Sequence, residues 1–88
     1  IVNLHPSLLP KFGGKGMYGD KVHIAVLKSK ERFTGITIHY VDEVYDNGEV
    51  IFQKRCNLDL NENLISLREK IRAMEYEFFP KTIEKLLN

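Results

Sequence analysis

Asn3 and His5 stand two positions apart near the start of the chain. If a strand runs through both, their side chains share a face, because successive strand residues alternate. An amide beside an imidazole suits chemistry at a carbonyl carbon. The amide can donate to a developing oxyanion, and the imidazole can move a proton near neutral pH. A loop histidine before Pro6, bonded to backbone, explains the same pattern without chemistry. His39 and Asp46 flank a second segment. A carboxylate there can hold an imidazole or a water. Equally, Asp46 reads as a turn former before Asn47-Gly48, and His39 as a core or cross-strand residue. The run FGGKGMYG invites a phosphate cradle, yet it matches neither the P-loop nor GxGxxG, and a flexible loop accounts for it. Glu75 reads either as helix surface or as a ligand contact. Cys56 ends the strand-like run VIFQKRC with no nearby histidine pair, and reads as structural.

The elements that must position these residues are few. Positions 1–4 read as the end of a strand. Positions 6–16 form a loop holding Pro6, Pro10, Gly13, Gly14 and Gly16. A helix follows to about position 30. Asp20 caps it, and Val22, Ile24, Ala25, Val26 and Leu27 supply its apolar face. Positions 34–41 (TGITIHYV) are rich in β-branched residues and read as a strand. A polar turn with Asn-Gly and a returning strand over 49–56 make a hairpin. From 64 to 87, Leu64, Leu67, Ile71, Met74, Phe78 and Phe79 recur at helical spacing, and Pro80 is expected to kink or split that helix. The expected fold class is α/β, a few mixed strands with a β-hairpin and a long C-terminal helix.

Composition narrows the function. The chain has 88 residues, 43% hydrophobic and 28% charged, with net charge +1, a balance that fits one small globular domain. Lys and Glu interleave along the second half, so no basic face points to nucleic acid. No apolar run approaches membrane-spanning length. A single cysteine cannot close an internal disulfide, so a reducing compartment, the cytoplasm, is expected. The chain opens on IVN, the last steps of a strand, and a preceding segment is expected.

Two of these runs carry a resemblance. NLHPSLLPKFGGKGMYG resembles the active-site segment of glycinamide ribonucleotide formyltransferases, and GITIHYVDEVYDNGEVIFQKRCNL resembles their downstream signature. Together with the spacing between them, they extend the likeness over nearly the whole chain. The resemblance implies the carboxy-terminal part of a formyltransferase fold, with positions 1–88 as its catalytic half and an upstream nucleotide-binding-like half elsewhere. It implies formyl transfer from 10-formyltetrahydrofolate, a co-substrate, to the amine of glycinamide ribonucleotide in purine biosynthesis, with no metal. Asn3, His5 and Asp46 fall on the family's catalytic trio, Thr37 and His39 on supporting positions. Asp42, Glu43, Val44, Tyr45 and Asp46 fall on the loop lining the folate pocket, and Glu75 on a carboxylate that helps hold the ribonucleotide. A cis Leu9–Pro10 bond is implied as well.

Related folate enzymes differ in detail. Methionyl-tRNA formyltransferases favour Ala where Pro6 stands and Arg-Gly-Ala after LLP, and formyltetrahydrofolate deformylases usually carry a second His at Pro6. A non-catalytic binding or assembly module is the reading from another class, and it is opposed by the retention of all three polar residues. The partners implied are small molecules and the upstream half, with neither nucleic acid nor membrane, and exposed strand edges that favour a homodimer. The 88-residue chain alone is expected to be inactive, since no segment offers several backbone N–H groups at a helix N-terminus for the substrate phosphate. Calorimetry of this chain against glycinamide ribonucleotide should show no tight binding; micromolar affinity would place the phosphate site within it.

Overall fold

The structure, a computed structural model, describes residues 1–41 and 48–88. Its elements run β1 (Val2–His5), α1 (Asp20–Lys28), β2 (Phe33–Tyr40), β3 (Val50–Asn57) and α2 (Leu64–Leu87). These fall within one or two residues of the sequence expectation, the usual uncertainty of element ends. The three strands form one sheet in the order β1-β2-β3, and both pairings are antiparallel. Mixed pairing was expected; among the described residues no parallel neighbour is present. The hairpin of β2 and β3 and the long terminal helix are as expected.

Strand alternation gives the sheet two unlike faces. Leu4, Ile38 and Phe52 stand opposite one another in register, with Ile36 two residues along β2 on the same side. This face meets both helices. Ile36 packs with Val22 and Val26 of α1 and with Leu67 and Ile71 of α2, all of them fully buried. Each such aliphatic side chain contributes about 1.5–3 kcal/mol on leaving water. Farther along α2 the Phe78 ring lies 5.4 Å from that of Phe52. Cys56 packs at the margin of this core, and burial pushes its thiol pKa up, as suits a structural residue.

The opposite face carries polar residues in two rows. Asn3 is paired with His39, and His5 with Thr37, which is paired in turn with Gln53. A register shift follows between Ile38 and His39, so that His39 meets Val50 while Ile38 meets Phe52. A bulge of this kind bends the strand and re-aims its side chains beside the second row.

Three helix details differ from expectation. Gly19, not Asp20, is the N-cap of α1, and no side chain caps it. Asp20 is instead the first helical residue and forms an ion pair with Arg68 of α2. Ile24 is 42% exposed, because the buried stripe runs through Val22, His23 and Val26. Pro80 lies inside α2 without splitting it. Proline cannot serve the carbonyl four residues earlier, and here that residue is Tyr76, 75% exposed, so water can replace the lost bond. At its start α2 has a full capping box: Asn63 accepts from Ser66 N, and Ser66 accepts from Asn63 N.

Gly35 sits in β2 where the loop after β1 crosses the sheet. A Cβ at that position would lie 2.0 Å from the Lys54 carbonyl oxygen and 2.8 Å from Leu8 Cδ2. The backbone oxygen cannot withdraw without opening the β2–β3 ladder. Gly35→Ala should therefore destabilise the fold by about 1–3 kcal/mol, the range typical of overpacking. Urea denaturation of the variant reads this directly, and an unchanged midpoint would refute the close approach.

Candidate functional site

Asn3 and His5 do share a face of β1. Both line one open cavity of about 570 Å³, whose far wall is the glycine-rich segment from Gly14 to Gly19. Gly14, Gly16 and Gly19 all have positive φ, at 99°, 83° and 57°. That backbone is one that glycine adopts without Cβ strain. The segment is thus specified as a wall opposite the amide and the imidazole. Asn3 is exposed to the cavity, whereas His5 is 3% exposed and held.

The holding bond comes from an unusual place. His5 Nε2 lies 2.7 Å from the Phe12 carbonyl oxygen, and since a carbonyl only accepts, Nε2 carries the proton. Phe12 is in the left-handed region, φ 58°, which is costly for a bulky residue. Its ring packs against the hydrophobic core, which offsets that cost. With Nε2–H directed at Phe12, Nδ1 is the ring nitrogen through which His5 can exchange a proton.

Behind His5 the loop is tied down through Thr37. The Thr37 hydroxyl donates to the Ser7 carbonyl at 2.6 Å and accepts from Leu9 N and from Gln53 Nε2, both at 3.0 Å. Gln53 Nε2 also reaches the Leu9 carbonyl at 2.9 Å. Ser7 adds a bond from its hydroxyl to the Lys11 carbonyl at 2.9 Å. The Leu9–Pro10 peptide within this loop is cis, as the sequence resemblance implied. Thr37 thus supports the site from beneath, with zero exposure of its own. His39 is 2% exposed, and its Nδ1 donates to the Tyr40 carbonyl at 2.9 Å, which orients the ring below Asn3.

Asp42, Glu43, Val44, Tyr45 and Asp46 lie outside the described residues. Glu75 is described and does not reach the first cavity. It lines a neighbouring one of about 340 Å³ between α1 and α2, which shares Leu4, Pro6 and Gly19 with the first. Burial pushes its carboxyl pKa up, opposed by Arg72. Across from it stands His23, whose pKa burial pushes down, with Asp20 opposing and Arg68 adding to the shift. Sequence reading passed over His23, Ser7 and Gln53. A signal existed for His23, which precedes Val26 by three positions and Leu27 by four, on the buried stripe of α1. For the loop-tying residues no local signal exists, since their partners lie up to 44 positions away. Among the described residues no group of three or more His, Cys, Asp or Glu side chains is placed to hold a metal ion.

An amide and an imidazole over an open cavity are groups suited to acyl-group chemistry by hydrogen bonding and proton transfer, and no cysteine or serine lines that cavity among the described residues. Comparison with known proteins agrees. The family model described as Formyl transferase matches residues 1–83, and the chain belongs to that family. It is 45% identical over 86 residues to the phosphoribosylglycinamide formyltransferase, chloroplastic, of Vigna unguiculata, covering 98% of this chain and 28% of that protein. The crystal structure of phosphoribosylglycinamide formyltransferase from Bacillus halodurans superposes with a TM-score of 0.90 at 40% identity, over all of this chain and 43% of that one. The N-formyltransferase from Helicobacter canadensis, in complex with folinic acid and dTDP-3-aminofucose, superposes at 0.88 with 26% identity, over all of this chain and 31% of that one. The chain therefore spans between a quarter and a half of the length of these relatives.

Thr37→Val keeps the shape of the side chain and removes its hydroxyl. The Ser7 carbonyl and the Leu9 N–H then lose their partner. Leaving such groups unmet costs about 1–3 kcal/mol each way it is counted. The variant should unfold at correspondingly lower urea, and an unaltered midpoint would show that water replaces the hydroxyl.

Proposed function

We propose that residues 1–88 are the catalytic part of a phosphoribosylglycinamide formyltransferase, moving the formyl group of 10-formyltetrahydrofolate to the amine of glycinamide ribonucleotide. The observation that carries this reading is the pair Asn3 and His5, side by side on β1 and lining one cavity. The names of the relatives support the choice of acceptor, and the folinic acid named with the Helicobacter structure supports a folate donor.

The chemistry follows from the side chains. The substrate amine attacks the formyl carbon, and its carbonyl oxygen gains negative charge in the tetrahedral intermediate. Asn3 donates an amide N–H to that oxygen, and the exposure of Asn3 leaves the amide available to it. His5, protonated and anchored through Nε2 on Phe12, stabilises the same charge and delivers a proton to the departing folate nitrogen. The family resemblance assigns Asp46 the organising of His5 and of a proton-relaying water, and assigns positions 42–46 to folate binding; these positions lie outside the described residues. Thr37 and His39 hold the two rows beneath, and Glu75 contacts the ribonucleotide from the adjoining cavity. No helix is long and apolar enough to cross a membrane among the described residues. The reading places the protein in a reducing aqueous compartment, the cytoplasm here and the chloroplast for the plant relative by its name.

The test is steady-state formyl transfer by the full-length protein. His5→Ala should lower kcat about a hundred- to a thousandfold, the cost of losing a transition-state donor, while leaving the affinity for both substrates unchanged. Near-normal turnover would remove His5 from the mechanism. Turnover with a sugar-nucleotide amine in place of glycinamide ribonucleotide would overturn the acceptor.

A further inference from the structure

The mechanism above leaves Gln53 without a role. It stands on β3, at the edge of the described sheet, and is exposed there. A glutamine so placed ordinarily faces water. This one turns its amide across the sheet to the loop after β1. Nε2 lies 2.9 Å from the Leu9 carbonyl oxygen and 3.0 Å from Thr37 Oγ1. A carbonyl only accepts, so the amide nitrogen of Gln53, not its oxygen, stands at Leu9. Both hydrogens of that nitrogen are then committed. Thr37 Oγ1 accepts from Gln53 and from Leu9 N, which leaves its single hydrogen for the Ser7 carbonyl at 2.6 Å. Gln53 thereby fixes the sense of every bond in the cluster.

What the tied loop delivers is the Phe12 carbonyl. Leu9 precedes Phe12 by three residues. The turn between them is closed by Lys11 N on the Leu8 carbonyl at 3.2 Å and by Ser7 Oγ on the Lys11 carbonyl at 2.9 Å. Phe12 then presents its carbonyl oxygen to His5 Nε2 at 2.7 Å, with its own φ at 58°. A bulky residue keeps that backbone only where its surroundings over-determine it. The ring in the core restrains Phe12 on one side, and the bonded loop restrains it on the other. Thr37 serves the loop at Ser7 and at Leu9 N, and Gln53 serves it at the Leu9 carbonyl.

We propose that Gln53 is a positioning residue for formyl transfer: through Leu9 it holds the loop so that the Phe12 carbonyl sets the place and the tautomer of His5. The assignment rests on the role given to His5 above and adds a residue to it.

The full-length protein carrying Gln53→Met or Gln53→Glu tests it. Methionine keeps the length of the side chain and has no donor; glutamate keeps its shape and, when ionised, only accepts. Because Gln53 is exposed, the urea midpoint of both variants should stay near that of the wild type. Their kcat should fall about ten- to a hundredfold, since a misplacement of about 1 Å can cost about a hundredfold, with KM for glycinamide ribonucleotide and for 10-formyltetrahydrofolate unchanged. The fall should vanish in the His5→Ala background, where no imidazole remains to be positioned. ¹⁵N NMR should find neutral His5 protonated at Nε2 in the wild type and divided between Nε2 and Nδ1 in Gln53→Met. Wild-type kcat in both variants overturns the proposal. A rise in KM alone does the same, as does an unchanged Nε2–H tautomer. So does an equal further loss on top of His5→Ala, as general loosening of the loop requires. If neither variant folds, Gln53 holds the fold rather than His5, and the proposal fails. Near-normal turnover of His5→Ala overturns the reading of His5 and this assignment together. A slow His5→Ala beside a fully active Gln53→Met overturns only the assignment.

Discussion

The hydroxyl of Thr37 is the interaction on which the site depends. It is completely buried on β2, and it binds the chain at Ser7 and Leu9 and the side chain of Gln53 on β3. One oxygen therefore joins two strands to the loop that leaves His5. A hydroxyl suits this position because it donates once and accepts twice. Serine would lack the methyl group that fills the same space, and valine would leave two backbone groups unmet. This bonding, together with the burial of Leu9 and the packing of Phe12, offsets the conformational entropy lost in ordering the loop.

The sheet divides labour between its faces for a simple reason. A strand turns successive side chains to opposite sides, so β2 can present Ile36 and Ile38 to the helices while it presents Thr37 and His39 to the site. The helices bury the first face and hold the strands at fixed register. A one-residue slip would send Ile38 to the polar side and His39 into the aliphatic core, and both faces resist it. The position of Asn3 and His5 is thus set by hydrophobic burial on the far side of the sheet.

A different kind of contact sets the second cavity. Asp20 and Arg68 form a bidentate pair between α1 and α2, and the guanidinium holds the Asp20 carboxyl pKa down. Such an exposed pair adds little stability. Its effect is local: it occupies Arg68 at the edge of the cavity that His23 and Glu75 also line.

Much of this was legible in the sequence. The alternation in TGITIHYV, the helical recurrence of Leu67, Ile71 and Met74, and the glycines of FGGKGMYG each reflect local stereochemistry, which is written residue by residue. The shared face of Asn3 and His5 follows from the same rule. Gly19 as the cap of α1, the unsplit helix through Pro80 and the left-handed Phe12 do not, because each depends on exposure or burial that neighbours decide. The tie from Thr37 to Ser7 and Leu9 and the sealed Nδ1 of His23 are further from the sequence still. They depend on residues distant along the chain, and only the packing of strands against helices determines which polar atoms meet and which, like His23 Nδ1, are sealed away.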